Sequence, residues 1–221
     1  MAGIILNGSV IKGLILNGSP VTAMLNGVKV FPTGEPAPTK EMLFNDTNTY
    51  SNNATITLPE MRSNQRPYIA FRFYGRPGAL GDIQFFYDND GVNTKYMGVR
   101  GHPYISYAGI VGINVNWKIT SCTPITTMTQ GTVDGTNYYQ TSLWPKSTNK
   151  WIKYVFDRAQ GVGYVYVEST LVCSITVSED AAKIDKIIIS DDQGSGRDSI
   201  GNISVAGFDD LDEAKNYSGP F

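Results

Sequence analysis

Trp151 to Val177 reads W-I-K-Y-V-F-D-R-A-Q-G-V-G-Y-V-Y-V-E-S-T-L-V-C-S-I-T-V, and this stretch decides the fold. Trp151, Lys153 and Val155 alternate with Ile152, Tyr154 and Phe156, and β-branched and aromatic residues dominate. Asp157 to Gly163 interrupts the run with charge and two glycines, as a loop between antiparallel strands does. Tyr164, Tyr166 and Glu168 alternate with Val165 and Val167; Glu168-Ser169-Thr170 forms a second polar turn, and Leu171 to Val177 resumes the alternation. Three consecutive antiparallel strands follow from this pattern.

Outward from this stretch the same punctuation continues. Strands are predicted at 54–58, 68–74, 82–87, 96–99, 104–107, 114–119 and 138–141 before it, and at 186–190 and 199–206 after it. Asp209 to Asn216 (D-D-L-D-E-A-K-N) reads as a short helix with acidic residues at its start, as the helix dipole prefers. Many short strands with one helix indicate an all-β antiparallel sandwich or jelly roll. The 23 glycines, 13 tyrosines and low charged fraction of 17% agree with a turn-rich β-protein. A net charge of −2 argues against a surface that tracks nucleic-acid phosphates. No apolar run approaches the roughly 18 residues of a membrane span, so no membrane insertion is expected.

The N-terminal segment has its own logic. Leu6-Asn7-Gly8, Leu16-Asn17-Gly18 and Leu25-Asn26-Gly27 repeat, and Asn-Gly is the strongest short hairpin signal because both residues tolerate positive φ. Strands this short are not stable alone. Their apolar residues Ile4, Leu6, Val10, Leu14, Leu16, Val21, Leu25 and Val30, with only Lys12 and Lys29 for charge, require a surface to bury against. Copies around a three-fold axis, a larger assembly, or the main domain itself would serve. Pro32 to Pro38 (P-T-G-E-P-A-P) is a stiff linker, so residues 1–38 form an attachment module and 39–221 the sandwich. Met1 to Leu16 lacks a basic start and is broken by Asn7-Gly8, which is not the pattern of an export signal. Cys122 and Cys173 are accordingly expected as reduced, buried thiols.

The pieces at 151–157, 164–167, 171–177 and 184–190 (I-D-K-I-I-I-S), with S-I-G-N-I-S-V-A-G-F at 199–208 and the acidic D-D-L-D-E-A at 209–214, resemble the C-terminal half of the concanavalin A-like lectin/glucanase family, the laminin-G-like sandwich. The N-terminal repeat resembles, more loosely, the Asn-Gly-rich leaders of tailed-bacteriophage virion proteins. Together these resemblances imply a non-enzymatic virion surface protein: a head fibre, capsid decoration or tail-fibre component. They imply a homotrimer attached to other virion proteins, assembled in the host cytoplasm, and adhesion to a host surface glycan. The competing readings are a polysaccharide-degrading glycoside hydrolase, a purely structural virion subunit and a cell-surface bacterial lectin.

Glycoside hydrolysis needs two carboxylates roughly 5–10 Å apart across the bond. The family's glucanases carry alternating carboxylates on one strand, and this chain has no such string: Glu168 stands in a turn and Glu179-Asp180 in a loop. His102, in Gly-His-Pro, is the single histidine and reads as a turn residue, which excludes a multi-histidine metal site. Asp88, Asp90 and Asn93 in D-N-D-G-V-N have the oxygen density of a calcium loop but no closing glutamate; a hairpin turn is the preferred reading, and no cofactor is expected. The sugar-binding candidates lie at 134–145. Tyr138, Tyr139 and Trp144 could stack on a sugar while Asp134 and Asn137 take hydroxyls, or the rings could pack over the sandwich edge or against a neighbouring subunit.

Overall fold

The computed structural model describes residues 15–16, 19–20, 23–25, 28–31, 39–51, 53–61, 65–76, 81–89, 92–100, 107–112, 122–125, 128–133, 136–145, 148–176, 180–191 and 199–220. The chain divides into two compact units, Met1–Thr39 and Lys40–Phe221. In the first, β1 (Ile15–Leu16) pairs with β2 (Ser19–Pro20) and β3 (Ala23–Leu25) with β4 (Val28–Phe31), both antiparallel. The registers are Leu16↔Ser19 and Leu25↔Val28, and the Asn-Gly pairs between them lie outside the described residues. Leu16, Leu25 and Val30 fall in these strands; Ile4, Leu6, Val10, Leu14, Val21 and the proline linker lie outside the described residues.

The second unit is an all-β antiparallel sandwich. Its strands are β5 (Lys40–Ser51), β6 (Thr55–Thr57), β7 (Tyr68–Arg76), β8 (Gly81–Asn89), β9 (Val92–Arg100), β10 (Tyr107–Gly112), β11 (Cys122–Pro124), β12 (Met128–Val133), β13 (Thr136–Pro145), β14 (Lys150–Asp157), β15 (Val162–Val167), β16 (Thr170–Thr176), β17 (Lys186–Asp191) and β18 (Ser199–Phe208). One sheet has the order β12-β13-β10-β9-β8-β17-β6, the other β11-β16-β15-β14-β7-β18-β5. This is the two-sheet architecture that the concanavalin A-like resemblance implies. A 3-10 turn (Ala181–Lys183) precedes β17, and α1 (Leu211–Asn216) follows β18. No helix among the described residues is long and apolar enough to cross a membrane.

Between the sheets, Ile152, Tyr154 and Phe156 of β14 join Phe71 and Phe73 of β7, Val165 and Val167 of β15, and Ile83, Phe85, Ile187 and Ile189 of the facing sheet in one buried core. Phe71 packs edge-on against Phe85 (5.9 Å, 83°) and Phe156 (5.8 Å, 86°), the geometry favoured by aromatic quadrupoles. Gly163, which the sequence placed in a loop, stands inside β15 opposite Phe156. A Cβ there would come within 2.9 Å of Ile175 Cγ1 and 3.0 Å of Phe156 Cε1, so the ring dictates the glycine. The turn before it is built by Asp157, whose buried carboxylate accepts from the N–H groups of Ala159 and Gln160, with Gly161 at φ 64°. Arg158 fixes this turn to Asp180 through two hydrogen bonds of 2.7 Å.

The predicted strands at 54–58, 68–74, 82–87, 96–99, 138–141, 186–190 and 199–206 are present, most of them longer than predicted; of 104–107 only Tyr107 is described, as the first residue of β10, and 114–119 lies outside the described residues. β5, β11 and β12 were not legible. β5 runs along a sheet edge with mostly exposed or half-buried residues, so it shows no clean apolar alternation. The helix begins two residues later than predicted, because Asp210 is its N-cap, accepting from the Glu213 N–H at 2.9 Å. Cys173 carries a buried thiol in the core.

Trp144 corrects the sequence reading. Its ring is 0% exposed in the core, and its Nε1 donates to the Thr148 carbonyl at 2.9 Å, so it offers no stacking surface to a sugar. Of the two readings open for this ring, stacking on a sugar and packing, the structure shows packing, and the Thr148 carbonyl satisfies the indole N–H that burial would strand. Trp144→Ala is expected to destabilise the sandwich by about 3–5 kcal/mol, as large aromatic truncations in cores do. Denaturant unfolding checks this; a change below about 1 kcal/mol would place Trp144 at the surface.

Candidate functional site

The second sheet is covered on both sides. Its outer face carries two side-chain rows running across β15, β14, β7 and β18. Tyr164, Val155, Ala70 and Ala206 form one through the pairs Val155↔Tyr164, Val155↔Ala70 and Ala70↔Ala206. Tyr166, Lys153, Arg72 and Ser204 form the other. Over the apolar row, Ala214 of α1 and Tyr217 pack with Ala70, Val155, Ala206 and Phe208 in a second buried cluster. The ring of Phe208 meets that of Tyr217 edge-on at 5.3 Å. The alanines leave room for the helix to lie close.

Beside the polar row the cover stops short, and a cleft of about 460 Å3 remains. Arg72, Trp151, Lys153 and Tyr166 form its sheet side, Glu168 and Ser169 one rim, and Asp212, Lys215, Asn216, Tyr217 and Ser218 the other. Each part is held in place. Lys153, 7% exposed, donates to the backbone carbonyls of Lys215 and, at 3.3 Å, Tyr217, so its ammonium caps the end of α1 where the dipole favours a cation. It also lies 4.5 Å from the Tyr166 ring centroid. Burial first, and the Arg72 charge second, push its pKa down to about 8.

The Arg72 guanidinium rests 3.4 Å from the Trp151 ring centroid, a distance that only flat stacking allows. Its Nη1 is buried with no hydrogen-bond acceptor, and burial lowers its pKa. Gly219, at φ 86°, closes on the same nitrogen so tightly that a Cβ would stand 2.6 Å from it. Trp151 also meets Tyr74 at 5.1 Å. Glu168 takes φ 55° in the β15–β16 turn; its N–H donates to the Trp151 carbonyl at 2.7 Å, its Oε1 accepts from the Trp151 N–H at 3.4 Å, and Lys150 lies 3.8 Å away.

A second cavity of about 470 Å3 gathers Glu41, Glu60, Gln65, Arg66 and Asp209. Arg66 pairs there with Asp209 and, at 3.9 Å, with Glu41, which makes an ion-pair cluster. Among the described residues no group of three His, Cys, Asp or Glu side chains could hold a metal.

The sequence candidates lie elsewhere. Asn137, Tyr138 and Tyr139 are in β13, paired with Thr132, Gly131 and Gln130. Asp134 and His102 lie outside the described residues, and Trp144 is in the core. Asp88 and Asn93 are register partners in the β8–β9 pair, and Asp90 lies outside the described residues. The cleft residues went unnoticed although a signal existed. Lys153 in W-I-K-Y-V-F and Arg72 in F-R-F are basic residues inside otherwise apolar strands.

No protein-family model matches the chain, and no curated protein matches its sequence. Among solved structures, the galectin LEC-6 of Caenorhabditis elegans superposes with a TM-score of 0.45 at 8% identity, over 78% of this chain and 99% of that one. Sheep galectin-11 in complex with glycerol superposes at 0.39 and 6% identity, over 72% and 97%. Alginate lyase A1-II' superposes at 0.40 and 13% identity, over 70% of each chain. Superpositions this loose transfer no site.

The buried ammonium sets a pH dependence. Between about 8 and the ordinary lysine value of 10.5, the unfolded chain still holds a proton that folded Lys153 has released. The unfolded state therefore binds more protons, and stability rises with pH across that window. Burial raises the pKa of Tyr166 and Tyr217 above 10.0, which reverses the trend only at higher pH. Denaturant unfolding from about pH 8 to 10 should show this rise, at most about 1.4 kcal/mol per pH unit, and Lys153→Met should flatten it. An unchanged slope in the variant would assign the rise to another group.

Proposed function

We propose that this chain is a non-enzymatic glycan-binding surface protein of a bacteriophage particle: a head fibre, capsid decoration or tail-fibre component. The observation that carries the binding part is the cleft at the end of α1. It combines aromatic walls with convergent polar groups on a rigid sheet, in a volume typical of small-ligand sites. Aromatic residues with hydroxyl, amide and carboxylate neighbours are the groups that bind a sugar's apolar face and its hydroxyls. The cleft's carboxylates, Glu168 in a turn and Asp212 in α1, are not the alternating carboxylates on one strand that the family's glucanases carry, which supports binding over hydrolysis. The attachment part rests on the Asn-Gly repeat and the proline linker. Residues 1–38 join the sandwich to other virion proteins, as a trimer, and several weak sites then act together on a host surface.

A glycan array probed with the intact protein tests the binding part. Trp151→Ala is expected to weaken retained glycans at least about tenfold while the unfolding midpoint stays within a few degrees. An array with no retained glycan would favour a purely structural subunit. For the attachment part, deleting residues 1–38 should leave a folded sandwich that neither trimerises nor joins particles; continued incorporation would sink that part.

A further inference from the structure

We infer that the cleft is a receptor for a carboxylate-bearing sugar, with the Arg72 fork and the Lys153 ammonium meeting the carboxylate; this rests on the glycan-binding reading of the same cleft. Arg72 and Lys153 are direct cross-strand partners. Like charges opposite each other on a sheet are destabilising, and strands shaped for stability alone separate them. Here both sit partly or fully out of water, and neither forms an ion pair with a carboxylate among the described residues. The rim carboxylate of Glu168 acts on Arg72 through space without an ion pair, so what the pair lacks is an anion in direct contact.

The geometry says which kind. The guanidinium lies flat on Trp151, so its N–H donors project within its own plane, the arrangement that receives a planar carboxylate on two parallel bonds. Nη1 is buried beneath Gly219 and closed to a ligand, so a carboxylate meets the guanidinium's other N–H groups. The ammonium spends two of its three donors on the Lys215 and Tyr217 carbonyls and keeps one. Around this cationic floor the rims carry Glu168 and Asp212, whose charges repel a phosphate chain or an anionic membrane but accept hydrogen bonds from sugar hydroxyls. A single negative charge surrounded by hydroxyls, as in a uronic or sialic acid, satisfies both parts. About 460 Å3 admits one or two such rings.

The test uses the intact protein and uronic- and sialic-acid oligosaccharides, each paired with its own methyl ester, which keeps the shape and removes the charge. Titration calorimetry with tryptophan fluorescence should show the acids binding at least about tenfold tighter than the esters. Added salt should shrink that advantage, as should raising the pH through about 8, where Lys153 loses its proton. Arg72→Gln should abolish the advantage, and Arg72→Lys, which keeps charge without the fork, should restore only part of it. Should Arg72→Gln fail to fold, the acid-against-ester ratio of the unaltered protein and the Arg72→Lys variant still decide. Equal binding of acid and ester, or binding of neutral glycans alone, with both lost in Trp151→Ala, would overturn the inference and leave the glycan reading standing. Binding that Trp151→Ala does not affect, or no glycan bound at all, would overturn both.

Discussion

A strand buried on both faces needs two covers. β14 is such a strand: every residue from Ile152 to Asp157 is buried, although a sandwich supplies a facing sheet to one side only. Ile152, Tyr154 and Phe156 find the other sheet. Val155 and its neighbours Ala70 and Ala206 find α1 and Tyr217. The C-terminal segment is therefore a third layer, small in extent, that removes the outer apolar row from water. It is tied down by a lysine that the sheet itself supplies. Lys153 reaches the last carbonyls of α1, so the residue that disturbs the strand's apolar pattern also anchors the cover.

The cleft follows from that arrangement. A six-residue helix and a short tail cover the apolar row and leave the polar one open toward the β15–β16 turn. Arg72, Trp151 and Lys153 are set by paired central strands, whose backbone hydrogen bonds and inner-face packing hold them, while Glu168 is pinned to Trp151 by its backbone. Groups held this way lose little freedom when a ligand arrives, which is the physical content of preorganisation. The desolvation that lowers the Lys153 and Arg72 pKa values also strengthens their attraction for any anion that enters.

The sheet architecture was legible because the inner faces keep a period of two over β7, β14 and β15; β18 departs from it, with Ile200, Ile203 and Val205 in the core on either side of a register shift. α1 was legible from its acidic start, but its first two predicted residues lie before the helix, where Asp210 is the cap. β5 was not, since an edge strand with both faces near water carries no contrast between alternate residues. The sequence left Trp144 open between sugar stacking and packing, because nothing local to it shows the Thr148 carbonyl that takes its N–H and lets the ring be buried. The cleft is assembled from β7, β14, the β15–β16 turn and the C-terminal tail, so no local window contains it. What a window does contain is the anomaly of a basic residue in mid-strand, and its meaning depends on the register that sets Lys153 beside Arg72.

The central claim is that the C-terminal segment is a structural layer that completes the sandwich and shapes the cleft. The most direct measurement is the thermal unfolding of a chain truncated after Phe208, read together with binding of a dye specific for exposed apolar surface. The truncated chain should keep its β-sheet circular dichroism, unfold at a clearly lower temperature, and bind the dye through the uncovered Val155, Ala70 and Ala206 row. An unchanged midpoint without dye binding would mean that the outer face needs no cover, and the account of both the fold and the cleft would fall.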